Sequence, residues 1–217
     1  MNLLNSLEKN NQFMTEALKT SKTQLQRREE AISKILDSAI TLISEKGVND
    51  LTMAEIGIFA GYSRGLPHQY FGSKDNLIES VLRTIIERFN DRRKKIKKSA
   101  DGIESIKVLV SAYLERAEED WKASKAFIML ISDPSLIDGP LKEFINKHHQ
   151  RNIEFIIRHL RIAKDTRQIQ SVLPEEDLAI IIMGTLRGIA LQALTDKQIN
   201  LKSINNSMNL ILDQLLT

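Results

Sequence analysis

Between Leu51 and Leu77 the chain must start, stop and restart a helix within a stretch too short for anything but a tight corner, and this constrains its fold more than any other feature. Thr52-Met53-Ala54-Glu55 has the form of a capping box, in which the Thr52 hydroxyl accepts from the Glu55 amide and the Glu55 carboxylate returns to the Thr52 amide. The helix begun there can run only to about Ala60, because Gly61-Tyr62 breaks it. Ser63 then offers a cap for a further helix, which Gly72-Ser73 ends. The sequence therefore predicts helix, tight turn, helix.

Helical spacing continues on both sides. Ile32, Ile35, Leu36, Ala39, Ile40 and Ile43 mark one buried face, and Gly47 after Lys46 is a carboxyl-terminal stop. After Ser73 an amphipathic helix runs through Leu77, Val81, Ile85 and Ile86 to a basic stretch ending near Lys98. Beyond Ala100 the breakers Asp101-Gly102, Asp133-Pro134, Asp138-Gly139-Pro140, Pro174 and Thr195-Asp196 predict helices over 103–120, 122–132, 140–164, 175–195 and 201–216. No segment alternates polar and apolar residues cleanly, and aromatics are only 5%, so strands are not expected. The expectation is an all-α fold of about nine helices: a three-helix helix-turn-helix domain over 26–74, then a helical bundle over 75–217. Residues 1–25, with a loose apolar stripe at Leu4, Leu7, Met14 and Leu18, form an extension read as a frayed helix or a disordered segment.

Composition excludes several chemistries. A hydrophobic share of 42% with sign-balanced charge fits a folded globular chain. With zero cysteines there is no disulfide framework and no thiolate-ligated zinc, which fits a reducing cytoplasm. His148 and His149 are adjacent and diverge by about 100° on a helix, so no metal site is expected, and no cofactor motif is present. Met1 to Lys9 lacks the apolar run of a signal or anchor. The stretch Leu178 to Leu194 carries Arg187 and falls short of the ~20 apolar residues of a membrane span, so no membrane partner is expected. Residues 1–98 hold 17 Lys/Arg against 12 Asp/Glu, and residues 99–217 hold 14 against 16. A module that binds a polyanion at the amino-terminal end would produce that asymmetry.

A helix-turn-helix places its second helix in the major groove of DNA while the first props it against the backbone. Arg64 suits guanine, because its planar fork reaches O6 and N7 together. Gly65 lets the backbone approach closely, and Leu66 and Gln69 complete the candidate base-reading set. Arg28, Thr52, Ser63, His68, Tyr70 and Lys74 are candidates for phosphate contacts, which set register without reading sequence.

At these residues the chain resembles a known family. Ile35-Leu36-Asp37-Ser38-Ala39, Glu45-Lys46-Gly47, Leu51-Thr52-Met53-Ala54-Glu55-Ile56, Ala60-Gly61-Tyr62-Ser63-Arg64-Gly65 and Tyr70-Phe71-Gly72-Ser73-Lys74-Asp75-Asn76-Leu77 are similar, in order and spacing, to the amino-terminal domain of the tetracycline-repressor (TetR) family. The resemblance implies a homodimer on a pseudo-palindromic operator in double-stranded DNA, usually a repressor released by a small-molecule effector. It is not exact. Pro67 stands where the family usually has an apolar, helix-compatible residue, Leu66 where Thr or Ser is common, and His68 where Tyr is frequent. Pro67 implies a recognition helix that starts tighter or later than usual. Gly57 costs its helix about 1 kcal/mol relative to Ala, which points to close packing against a neighbour.

For the body, Tyr113, Trp121, Phe127, Phe144, His148, Phe155, Met183 and Arg187 are the candidate ligand-pocket residues, although aromatics at helical spacing are core by default. The helix over 175–195 is apolar nearly all round, which implies burial on more than one side. The resemblance implies that this helix and the one over 201–216 form a four-helix dimer interface, with Ile182, Gly184, Leu186, Gly188, Ile189, Ile204, Met208, Ile211 and Leu215 as its candidates and plain core packing as the alternative. The run Arg92 to Lys98 reads as solvated cations favourably placed at a helix carboxyl terminus, and the resemblance, which implies that the start of the first helix lies beside the DNA backbone, gives Arg27 and Arg28 the better claim to phosphate.

Two other functional classes share features of this sequence. Gly61-Tyr62-Ser63-Arg64-Gly65 spells the G-x-S-x-G of a hydrolase nucleophile elbow, but that elbow follows a strand, and here a capped helix precedes Ser63. An enzyme is not expected. Pro67 keeps open a helical ligand-binding or protein-interaction protein that has lost sequence-specific DNA binding.

Overall fold

Thr23 opens the first helix with a reciprocal cap: its hydroxyl accepts from the Gln26 amide, and the Gln26 side chain accepts from the Thr23 amide. The computed structural model describes residues 23–97, 100–115, 118–170, 172–196 and 198–215. The expectation for residues 1–25 falls almost wholly outside this range. Among the described residues there are ten helices and no strand: α1 Gln24–Lys46, α2 Met53–Phe59, α3 Leu66–Phe71, α4 Lys74–Ile96, α5 Ile103–Leu114, α6 Glu118–Ser132, α7 Pro134–Ile137, α8 Lys142–Asp165, α9 Glu175–Thr195 and α10 Leu201–Leu215. The all-α expectation holds.

Three details differ from the sequence reading. The helix expected over 103–120 stops at Leu114, because Glu115 turns extended (φ −97°, ψ 98°). α7 is a single turn capped by Asp133, whose carboxylate accepts from the Ser135 amide, and it raises the helix count. The stretch around Leu178 to Leu194 forms a 21-residue helix that has the length and composition to cross a membrane, contrary to expectation. Within the chain, however, Leu178, Ala179, Ile182, Met183, Leu186 and Ala190 are buried in the packing.

Two hydrophobic clusters hold the chain. The first joins Ile35, Ile43, Leu51 and Ile56 of the amino-terminal helices to Leu77, Ile78 and Leu82 of α4, and it extends to Ala126 and Leu130 of α6 and Leu136 of α7. The second joins Ile106 and Leu109 of α5, Ile156 and Leu160 of α8, Ile182 and Leu186 of α9, and Met208 and Leu212 of α10. α4 is common to both: Leu77 to Ile85 belong to the first cluster, and Phe89 packs against the second. It is a single rod from the end of α3 into the bundle, started by Ser73, whose hydroxyl accepts from the Asn76 amide.

The second cluster corrects the expected interface. Ile182, Leu186 and Met208 are buried in this chain's own core, so they have no surface to offer a partner. Gly188, Ile189 and Ile204 are half-buried, Gly184 and Ile211 are exposed, and the side chain of Leu215 lies outside the described residues. The large exposed apolar side chains on these two helices are Ile180, Ile181, Leu191, Leu210 and Ile211.

Candidate functional site

α2 and α3 meet through a turn that closes both ends. The Gly61 amide donates to the Ile58 carbonyl and the Tyr62 amide to the Gly57 carbonyl, with Gly61 at φ +79°; this is the paired-bond helix stop that favours glycine. Thr52 caps α2 as expected, accepting from the Glu55 amide at 3.2 Å. The return half of the capping box is not made: the Glu55 carboxylate instead accepts from Lys46 Nζ at 2.5 Å, tying α2 to the end of α1.

Ser63 is not a helix cap. α3 begins at Leu66, its cap position is Gly65, and no side chain caps it. The Ser63 backbone carbonyl accepts from the Leu66 amide, and Pro67 occupies the first turn, where its missing amide loses nothing. Pro67 is buried, and its partner is Gly57. A Cβ on Gly57 would lie 2.5 Å from the Ser63 oxygen and 3.0 Å from Pro67 Cδ. The mid-helix glycine and the unusual proline are thus two halves of one contact that brings α2 and α3 together.

That packing leaves Arg64 and Gly65 exposed in the turn ahead of α3, and His68 and Gln69 exposed on its outer face. Leu66 is half-buried against the first cluster and anchors α3 on that side. Arg28 comes over the Tyr70 ring, 5.8 Å from its centroid, and the two line an open groove with Arg27, Tyr62 and Gln69. Lys74 donates to the Asn49 carbonyl at 3.2 Å, which fastens the loop after α1 to the start of α4. An ammonium has three donors, so this bond leaves capacity for an anion.

The second candidate site is a cavity walled by α4, α5, α6, α8 and α9, enclosing about 650 Å³ of free space including its open mouth. Of the eight predicted pocket residues it brings together Tyr113, Phe127, His148 and Arg187. The other four are placed elsewhere. Met183 is in the core, Phe144 lies beneath Arg83 at 4.7 Å, Phe155 lies beneath Arg93 at 4.0 Å, and Trp121 is half-buried away from the cavity wall.

The sequence reading missed the α4 wall: Ile85, Ile86, Phe89 and Arg92. These fall at i, i+1, i+4 and i+7, so extending the Leu77–Ile85 stripe by two turns would have found them. It also took Arg92 and Arg93 for solvated cations. Instead Arg92 reaches inward to pair with Asp120, Arg93 covers Phe155, and each has a buried Nε with no hydrogen-bond partner. Burial accordingly holds Arg93 below the usual guanidinium range. His148 packs edge-on to Phe127, 5.6 Å between ring centroids, and burial together with Arg187 pushes its pKa down to about 4. Asn152 Nδ2 donates to the His148 carbonyl and sits 2.9 Å from its Nε2, so that ring nitrogen is the acceptor and Nδ1 carries the proton.

Residues 35–81, which contain the capped helix, the glycine turn and the recognition helix, match the model of the bacterial regulatory proteins of the tetR family. BetI, an HTH-type transcriptional regulator of Brucella melitensis biotype 2, is 34% identical over 140 residues, 63% of this chain and 68% of that relative. The chain belongs to the tetR family of bacterial regulatory proteins. BetI of Brucella canis is 34% identical over 95 residues, and that match spans only about half of the relative, 46% of its length and 43% of this chain. The HTH-type transcriptional regulator CymR of Pseudomonas putida is 27% identical over 181 residues, 81% of this chain and 85% of that protein.

Solved structures of the family share the fold at low identity. A transcriptional regulator from Saccharomonospora viridis in complex with choline superposes with a TM-score of 0.74 at 20% identity, over 87% of this chain and 98% of that one. FadR from Bacillus subtilis in complex with stearoyl-CoA gives 0.72 at 18%, over 85% and 99%. AibR in complex with isovaleryl coenzyme A and operator DNA gives 0.69 at 15%, over 86% and 100%. The proteins this TetR-family chain resembles are regulators and not enzymes. Ser63 accordingly sits in a turn between two helices and not behind a strand.

Proposed function

We propose that this protein is a homodimeric repressor that binds a pseudo-palindromic operator through α3 and is released by a small molecule entering the α4–α9 cavity. The observation that carries the reading is α4 itself. One uninterrupted helix starts after only two intervening residues, Gly72 and Ser73, beyond the end of α3 and forms a wall of the cavity further along. A ligand that shifts α4 shifts the recognition helix with it. Arg64 and Gln69 read base edges, with Gly65 admitting the backbone, while Arg28, Tyr70, Lys74 and His68 hold phosphates. The operator complex of AibR and the ligand complexes of the other neighbours support the same division of labour.

The dimer face in this reading is the exposed side of α9 and α10. Ile180, Ile181, Gly184, Gly188 and Leu191 fall within an arc of about 100° on α9. Ile204 and Ile211 share one side of α10. Exposed large apolar side chains gathered on one face mark an interaction surface. Two recognition helices then dock about one helical turn (~34 Å) apart or a multiple of it.

Binding of the full chain to the DNA upstream of its own coding region, titrated at several salt concentrations, tests the reading. Sequence-selective binding that weakens steeply with salt and has dimer stoichiometry is expected. An absence of selective binding in a selection from random DNA would leave instead a ligand-binding helical protein that has lost its operator.

A further inference from the structure

We infer that the ligand selected by the α4–α9 cavity is an amphipathic monoanion, a carboxylate on an apolar chain or ring, with its head at Arg187 and its body between α4 and α6. The inference rests on the reading of this cavity as the effector site, and it goes further by naming the ligand's chemistry.

The walls provide for the body. Ile85 and Ile86 of α4 face Phe127, Ile128 and Ile131 of α6, and none of these side chains offers a hydrogen bond, so the bulk of a ligand there must be apolar. The charges provide for the head. Arg88 turns away to Asp37, its Nη2 donating at 2.5 Å, and Arg92 pairs with Asp120. Arg187 forms no ion pair among the described residues, and its Nε, like that of Arg92, is buried without a hydrogen-bond partner, so of the cavity's three guanidiniums it is the one without a carboxylate.

An N–H removed from water and left without an acceptor carries the full cost of its desolvation, and the cost is greater for a charged group. A carboxylate at the guanidinium supplies the missing acceptor, and it can do so with two parallel bonds. The other titratable groups around the cavity do not compete for this role. Asp120 is already held by Arg92, Tyr113 packs edge-on to Phe89, and His148 is neutral near pH 7 and faces the ligand as a donor at most. A quaternary ammonium such as choline, the ligand of the Saccharomonospora viridis neighbour, would meet an uncompensated positive charge here.

The experiment is direct calorimetric titration of the full-length protein, without DNA, against decanoate and 4-phenylbutyrate. Each is compared with its matched primary alcohol and its matched trimethylammonium analogue. Both carboxylates are expected to bind at least ten-fold more tightly than their alcohols, and the ammonium analogues more weakly still. Arg187→Met should reduce carboxylate affinity to that of the alcohol for the same variant, with Arg187→Lys intermediate. Alcohol binding that persists in Arg187→Met shows that the cavity itself is intact. Equal affinity for alcohol and carboxylate, tighter binding of the ammonium, no binding of either carboxylate, or a preference that survives Arg187→Met would overturn the inference. Operator binding is measured separately. A carboxylate preference in a protein that binds no DNA would uphold the ligand class and defeat the regulator reading; operator binding without that preference would do the reverse.

Discussion

Among the described residues Arg64 and Arg187 are both guanidiniums without a carboxylate partner, one exposed and the other half-buried. Arg64 stands exposed at the start of α3, fully hydrated until a polyanion displaces its water. Arg187 has already lost water from its Nε on folding, with no acceptor in return. The exposed cation therefore costs the free protein little, and its binding energy is exposed to salt screening. The half-buried cation keeps one N–H shut away without an acceptor, and a ligand that meets it is screened less. On the proposed reading one end of the molecule meets a large charged surface and the other a single small anion.

The contact between Gly57 and Pro67 separates the two ends most sharply. Gly57→Ala introduces a Cβ 2.5 Å from a backbone oxygen that the turn holds in place. We expect a net loss of about 1–3 kcal/mol in thermal or urea unfolding, despite the ~1 kcal/mol that Ala adds to helix propensity. Operator affinity should fall at least a hundred-fold, because α3 is displaced from α2. Cavity ligand binding, measured on the folded fraction, should be unchanged; if it falls equally, the two ends are not separable.

Arg64→Ala comes next. It should cost on the order of 1–3 kcal/mol at the cognate operator and relax specificity there. Unfolding midpoint and ligand affinity should stay as they are, because the side chain is in water. A uniform loss of affinity on every DNA sequence would reassign Arg64 from base reading to phosphate.

These two residues also mark how far the sequence could be read. Helix positions, the Thr52 cap and the Gly61 turn were accessible because each is set by neighbours within a few residues. Gly57 and Pro67 each stood out as irregular, but their partnership was not readable, because it depends on how two helices cross. The start of α3 was misplaced for the same reason: Ser63 has the chemistry of a cap, yet its backbone is committed to the turn against Gly57. In α9 the difficulty was of another kind. A helix apolar nearly all round has no periodic contrast, so nothing separated the buried Ile182 and Leu186 from the exposed Ile180 and Ile181. The cavity wall on α4 was overlooked because Arg92 was grouped with the lysines that follow it rather than with the stripe that precedes it.

Arg187→Met inverts the usual expectation for removing a charge. A half-buried cation whose Nε lacks an acceptor, replaced by an apolar side chain of similar length, should leave the ligand-free protein about as stable as before. Arg64→Met should change stability by less than ~0.5 kcal/mol. Chemical denaturation of both variants without ligand checks the pair. A destabilised Arg187→Met would mean that the guanidinium already has its counter-charge in the free protein, and the contrast with Arg64 would collapse.

The smallest expected effect is a pH dependence, and its sign is fixed by the direction of the His148 shift. The folded ring has a pKa pushed down to about 4, below the ordinary value of 6.5, so above pH 6.5 both states are neutral and the ring contributes nothing to pH dependence. As pH falls from 6.5 towards 4 the unfolded chain takes up a proton that the fold refuses, and stability declines through that window. His149 and His159 are shifted the same way, so the decline of the whole protein is shared among them. The difference between wild type and His148→Gln isolates one ring. Between pH 7.5 and pH 5 the wild type should lose about 1 kcal/mol more than the variant in urea unfolding, less than the full shift allows because the ring is partly solvated. Equal losses would mean that His148 accepts its proton within the fold. The cavity beside Arg187 would then be wet enough to hydrate a second cation, and the unpaired guanidinium would no longer select for an anion.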